Sequence, residues 1–310
     1  MDHTGIKASM DSADWSKLVL LSVLWGGAFF LVEIALDAFS PWLIVAARMT
    51  IAALLLWLIV LAKRYPVPAA ASVWLLFVGT GLLNNVIPLL LIAWAQTEIT
   101  AGLAAILIAT TPVIGVALAG LFLRDEPITR RKLAGTVVGF LGVAILIGPA
   151  VWSGFGRNVI AQLAVLAAAV SFALAGVCGR RFATVGVHPM TAAAGQLLAS
   201  AVVALSLLFI FEGSVAVSAG KPSAWAALAA LALLSTALGY VIYYDLLQSA
   251  GAVNLLQVNL LLPATAILLG TVVLGERLDV WQMLGLVVIV SGLVILDGRA
   301  WQRPRARTGD

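Results

Sequence analysis

Apolar residues in this chain run in blocks, one after another, from about Leu18 to Asp297. Polar and helix-breaking punctuation separates the blocks. Examples are Ser40-Pro41, the Lys63-to-Pro68 segment, Asp125-Glu126-Pro127, Gly154-Phe155-Gly156, His188-Pro189 and Lys221-Pro222. Proline is tolerated in the first turn of a helix and disrupts one further in. A helix of about 20 mostly apolar residues crosses the hydrocarbon core of a bilayer. The pattern predicts an all-α integral membrane protein with ten transmembrane helices. They fall near 17–35, 41–62, 71–93, 99–122, 130–149, 158–179, 188–211, 223–247, 252–274 and 280–297. A short N-terminal segment (1–16) and a basic tail (298–310) flank two five-helix units, 17–149 and 158–297. The first block is read as a retained helix, because no A-x-A cleavage site closes it.

Composition supports this reading. Hydrophobic residues make up 63% of the 310 positions and charged residues 10%, against roughly 25% charged in soluble domains; the mean hydropathy is +1.10. The net charge of +4 does not point to nucleic acid, because the cations lie between the apolar blocks and at the tail. Their distribution sets an orientation. With the N terminus inside, the inner segments hold 14 Lys and Arg residues and the outer loops hold Arg157, Lys221 and Arg277; Arg48 alone lies within a span. The positive-inside rule then puts both termini in the cytoplasm of a bacterial inner-membrane protein. Tryptophans fall at both expected interfaces, Trp15, Trp74 and Trp301 inside and Trp42, Trp152, Trp225 and Trp281 outside.

The two halves resemble each other. "LRDEPITRRKLAGTVVGFLGVAILIG" aligns with "LGERLDVWQMLGLVVIVSGLVILDG" at an offset of 150, so that Glu126 meets Glu276, and Gly135, Gly142 and Gly148 meet Gly285, Gly292 and Gly298. Pro41 and Pro189 each open a span. An odd number of spans per half inverts the second copy relative to the first, an arrangement typical of secondary transporters. The two glutamates fit helix N-terminal positions. The layout, "LWGGAFFLVEIAL" in the first span, "LRDEPIT" and "LGERLDV" after the fourth and ninth, and the glycine-spaced fifth and tenth spans together resemble the drug/metabolite transporter superfamily. The similarity is to its EamA-type ten-helix exporters, and in kind to the bacterial aromatic-amino-acid exporters among them. The resemblance implies two inverted repeats around a central cavity, lined mainly by spans other than five and ten. It also implies export of amino acids or similar metabolites.

Depth along each span, at about 1.5 Å per residue, places polar groups at one level. These are Trp25 in span one, Asn84 and Asn85 in three, Thr110 and Thr111 in four, Ser171 in six, Ser235, Thr236 and Tyr240 in eight, and Asn259 in nine. Two readings fit them: helix-to-helix hydrogen bonds, or the wall of a wet cavity. Pro88, Pro112 and Pro263 each remove the partner of the carbonyl four residues earlier, on Asn84, Ile108 and Asn259. Irregular backbone at that depth is tolerated against protein or a water-filled cavity, so these prolines are candidate hinges. Trp94, Tyr243 and Tyr244 are further candidates for the cavity wall. Arg48, seven residues after Pro41, is a candidate for a substrate carboxylate or a gate ion pair, or else it snorkels outward or pairs with Glu33 or Glu98. Gln196 holds the matching position after Pro189.

Other classes find little support. One cysteine, Cys178, and two histidines, His3 and His188, offer no metal set, and no cofactor is called for. No G-x-S-x-G, H-E-x-x-H or P-loop is present, so neither an enzyme nor a self-powered pump is expected. A channel would want a polar stripe running the length of several helices. The expected partners are the lipid bilayer and a small-molecule substrate. Drug or sugar carriage stays open beside amino-acid export, as does the oligomeric state: Gly135-x-x-x-Gly139 suits packing within the bundle or between protomers.

Overall fold

The computed structural model describes residues 10–99, 101–122, 129–147, 158–213, 221–265 and 280–297, and its regular elements there are helical. The helices are α1 (Ser12–Leu36), α2 (Pro41–Ala62), α3 (Ala71–Ala95), α4 (Leu103–Phe122), α5 (Arg130–Ile147), α6 (Val159–Thr184), α7 (Pro189–Glu212), α8 (Pro222–Ala250), α9 (Ala252–Thr265) and α10 (Val280–Asp297). Glu126, Glu276 and the basic tail lie outside the described residues. Among the described residues, seven helices are long and apolar enough to cross a membrane: α1 to α4 and α6 to α8. In the remaining three, α5 opens on Arg130, Arg131 and Lys132, while α9 and α10 supply the shorter apolar stretches Ala252–Thr265 and Met283–Leu296. Large apolar side chains face outward; Leu75, Leu121, Ile160 and Ile210 are each more than 70% exposed. In water such a belt would drive aggregation, whereas against acyl chains it is the matching solvent.

Local chemistry explains where helices start. The Asp11 carboxylate accepts the Asp14 N–H at 2.9 Å and the Asp14 carboxylate accepts the Asp11 N–H at 3.3 Å. This capping box starts α1 at Ser12, about a turn before the expected start at 17, because it satisfies two backbone donors that a helix start leaves open. Ser40 caps α2 through the Leu43 N–H at 3.1 Å, with Pro41 in the first turn. His188 does the same for α7, its Nδ1 accepting the Met190 N–H at 3.2 Å ahead of Pro189. Between α8 and α9 the chain turns at Gly251, whose φ of 82° suits glycine.

Contacts between helix ends sort the molecule into two faces. At one face Lys17 pairs with Asp245, Ser249 donates to Asp14 at 2.9 Å, and Tyr65 stacks on His188 at 4.1 Å. At the other, Trp42 stacks on Phe211 at 4.7 Å, Phe39 meets Trp225 edge-on at 4.8 Å, and Asn158 donates to the Glu98 carbonyl at 2.7 Å. The start of α1 thus lies with the end of α8, whereas the start of α6 lies with the end of α3. Helices α5 and α10 pack along their lengths. A Cβ on Gly285 would fall 2.3 Å from Leu146 Cα, and one on Gly292 would fall 2.4 Å from Gly139 N. The glycines of both helices therefore let the two backbones touch. The face carrying Gly135 and Gly139 is taken up within the chain, by α10 at Gly135 and by Leu260 of α9 at Gly139.

Among the described residues, helices α3, α4 and α8 are irregular at mid-length. Helix α3 contains a π-helical segment, Leu82–Val86, and α8 contains another, Leu231–Leu238. In α4 a helix ending at Ile108 resumes at Thr111, one residue before Pro112. The two π segments occupy equivalent places in the two halves, at the same offset of about 150 as the aligned glycines.

Candidate functional site

A cavity of about 770 Å³, its opening included, lies at the level of these irregularities. Helix α1 supplies Trp25, Ala28, Phe29 and Val32 to its wall; α3 supplies Asn84, Leu89, Ile92 and Gln96; α8 supplies Ser235, Tyr240 and Tyr243. The rest comes from Arg48 on α2, Ile108 on α4, Phe172 on α6, and α9 from Leu255 to Leu262, Asn259 among them. The wall draws on both halves of the chain, and among the described residues α5, α7 and α10 contribute nothing to it.

The backbone break in α3 is closed by side chains from other helices, and that in α4 by its own threonines. Proline has no N–H, so Pro88 leaves the Asn84 carbonyl without its α-helical partner. The π register deepens the deficit. Ile87 N–H reaches back five residues to the Leu82 carbonyl, so Leu83, next in that register, would need the N–H that Pro88 lacks. The Tyr240 hydroxyl donates to the Asn84 carbonyl at 3.0 Å and the Ser171 hydroxyl to the Leu83 carbonyl at 2.7 Å. The Gly81 carbonyl receives the Ser200 hydroxyl at 3.3 Å, and Asn85 Nδ2 donates to the same Ser200 oxygen at 2.6 Å. In α4 the Ile108 carbonyl, freed by Pro112, takes the Thr111 hydroxyl at 2.6 Å, and Thr110 donates to Leu107 at 2.6 Å.

The second half mirrors this arrangement. Trp25 Nε1 donates to the Ser235 carbonyl in the α8 π segment at 2.9 Å, while its ring leans on Tyr240 at 6.0 Å and Tyr243 at 5.8 Å. Gly239 makes the approach possible, since a Cβ there would sit 2.6 Å from Trp25 Nε1. Thus α1 serves the π segment of α8, as α6 serves that of α3. Arg48 is 5% exposed. Its Nε donates to Thr236 Oγ1 at 2.9 Å and its Nη2 to Ser235 Oγ at 3.3 Å. Among the described residues no carboxylate pairs with it, neither Glu33 nor Glu98. Two neutral hydroxyls leave its charge uncompensated, and a charge at mid-bilayer costs about 2.5–3.5 kcal/mol on insertion scales.

The sequence-derived candidates therefore divide. Trp25, Asn84, Tyr240, Asn259 and Arg48 meet on the cavity wall. Asn85, Thr110, Thr111 and Ser171 are absent from it; the three hydroxyls and the Asn85 Nδ2 make the bonds above. Tyr244 is 1% exposed and donates to the Gln196 side-chain oxygen, which ties α8 to α7 beside the cavity. Trp94 is 42% exposed on the outer surface of the bundle. Pro88 and Pro112 sit at the observed breaks, and Pro263 lies within α9 after a turn at Gln257. Phe29, Phe172 and Gln96 are among the wall residues that a depth argument based on polarity does not find. Phe29 follows Trp25 by four, on the same helix face; Phe172 adjoins Ser171; Gln96 lies beyond the expected end of span three. The carboxamide of Gln96 is buried without a hydrogen-bond partner, and Asn84 Nδ2 is in the same state.

Comparisons with known proteins give this geometry a family. The chain matches the EamA-like transporter family over residues 15–148 and again over 159–296. It is 27% identical over 292 residues to the "uncharacterized inner membrane transporter YedA" of Escherichia coli K12, covering 91% of this chain and 90% of that one. It is 28% identical over 305 residues to a protein of Streptantibioticus cattleyicolor named "probable terminal-alkyne amino-acid exporter", covering 96% and 97%. One crystal structure superposes with a TM-score of 0.75 at 22% identity, over 93% of this chain and 98% of the other, and supports the fold. Two consecutive family matches spanning almost the whole sequence make the chain a membrane protein of the EamA-like transporter family.

Proposed function

We propose that the chain is a secondary transporter that exports small metabolites, amino acids foremost, by alternating access. Ten spans in two inverted five-helix repeats, with both termini in the cytoplasm, form its frame. The substrate site is the mid-depth cavity, with Trp25, Asn84, Tyr240 and Asn259 on its wall, and Pro88, Pro112 and Pro263 acting as hinges. One observation carries the reading. The cavity lies between two π-helical breaks in equivalent helices of the two halves, each closed by a donor from the opposite half. Such breaks can change register cheaply and cluster at functional sites, and a site between repeats at mid-depth is where alternating access needs it. The division of helix ends into two faces supports the inversion, and the charge asymmetry supports the orientation. A relative named as an amino-acid exporter, together with the aromatic wall, favours amphipathic amino acids. Counterflow in proteoliposomes against a panel of amino acids, sugars and cationic drugs tests it. Exchange of at least one amino acid, lowered several-fold by Trp25→Ala, is expected. Exchange of sugars or cations alone would overturn the substrate assignment.

A further inference from the structure

Among the described residues of the cavity wall, Arg48 alone carries a formal charge. Its Nε and Nη2 are steadied by Thr236 and Ser235, and no hydrogen bond among the described residues engages Nη1. On the same wall Asn84 lies beside Tyr243, yet its Nδ2 makes no hydrogen bond of good geometry. Both of these groups are donors, while the Gln96 carboxamide on the same wall, also unpartnered, offers one donor and one neutral acceptor. A guanidinium fork and a carboxamide N–H suit an acceptor with two oxygens, which is a carboxylate. Around them the wall is apolar or aromatic: Trp25, Phe29, Phe172, Leu89 and Leu262. An ammonium group finds no carboxylate among the described wall residues and meets repulsion from Arg48 in a site of low dielectric.

We infer that the cavity reads its substrate as an organic acid, with the carboxylate on Arg48 and Asn84 and an apolar or aromatic body against α1 and α6; an α-amino group is tolerated but meets no charged partner among the described wall residues. The inference rests on the cavity being the transport site. It also has an energetic consequence. An acid without an amino group crosses as a monoanion, and an interior-negative potential drives it outward by about fifty-fold per 100 mV. Export then needs no coupled ion, in keeping with the absence of a carboxylate or histidine relay among the described wall residues.

The test uses the full chain in proteoliposomes with three matched solutes: 3-phenylpropionate, phenylalanine and 2-phenylethylamine. The acid is expected to exchange at least as fast as the amino acid. Its exit should quicken when valinomycin and a potassium gradient make the interior negative, and the amine should neither move nor compete. Arg48→Gln is expected to slow the acid at least tenfold, and Arg48→Lys less. The competition assay on the unaltered protein needs no variant, so a folding defect cannot mimic the result. Selective movement of phenylalanine or the amine with no movement of the acid would overturn the inference and leave a transporter in place. So would full acid transport by Arg48→Gln. No movement of these three, nor of any solute in the wider panel, would instead strike the reading of the cavity as a transport site.

Discussion

At the residue scale the site is a set of backbone deficits met by side chains from elsewhere. Half of each pairing was legible in the sequence. Asn84 and Ile108 could be named as freed carbonyls from the proline positions alone, since the deficit is local. Their partners differ in reach: Thr111 is three residues from Ile108, whereas Tyr240 comes to Asn84 from 156 residues away, a distance no spacing rule covers. Polarity alone does not separate the two roles, because the Ser171 and Thr111 hydroxyls close backbone carbonyls and Asn85 Nδ2 holds the Ser200 side chain. Two outcomes follow. Tyr240→Phe removes a buried donor and is expected to destabilise the protein by about 0.6 kcal/mol, the average for interhelical hydrogen bonds in membranes, and by no more than about 1.7 kcal/mol, the largest; unfolding in mixed micelles reads it. Gly239→Ala puts a methyl group where Trp25 Nε1 now lies, and should slow transport at least fivefold while the protein stays monodisperse.

At the element scale, punctuation located most helices, because proline and paired polar residues act on the backbone wherever they stand. The start of α1 lies before the expected one because "DSADWSK" reads as a polar segment until its two aspartates, Asp11 and Asp14, are seen to cap the helix. The π segments were illegible, since "LLNNV" and "LALLSTAL" differ little from α-helical sequence and the extra residue is held by bonds to other helices. The glycines of α5 and α10 were legible as a pattern, but not whether they served this chain or a neighbour. Their role separates frame from site. Gly285→Val forces apart two backbones in contact and should lower the thermal midpoint strongly or abolish folded yield. The cavity-lining Phe29→Ala should slow transport with little loss of yield. The hinge proposal is checked on α4 and α9. Pro112→Ala and Pro263→Ala are each expected to slow exchange several-fold with folding intact, and unchanged rates in both would remove the hinges from the mechanism.

At the scale of the whole molecule the cavity is closed toward one face. Beyond Tyr243 an aromatic series continues through Tyr244, Phe182, Phe77 and Trp74, each ring within 5.1–5.7 Å of the next. At the same end Lys17 pairs with Asp245, and Ser249 holds Asp14. The cation count predicts that this end faces the cytoplasm, but no spacing rule pairs Asp245 with a lysine 228 residues away. The ion pair is half-exposed, so its own strength is small; its value lies in marking two helix ends, α1 and α8, that must separate if substrate enters from that face. The same two helices are joined at mid-depth by Trp25 and Ser235, so parting their ends would pivot on the π segment of α8. A bridge across the ends should therefore arrest transport without touching the cavity. With Cys178→Ala as background, Lys17→Cys and Asp245→Cys joined by a short cleavable dithiol-reactive linker are expected to cut exchange at least tenfold, and reduction of the linker should restore it. Unimpaired exchange across the linked ends would mean that substrate passes without these helices parting, and that α1 and α8 belong to the fixed frame.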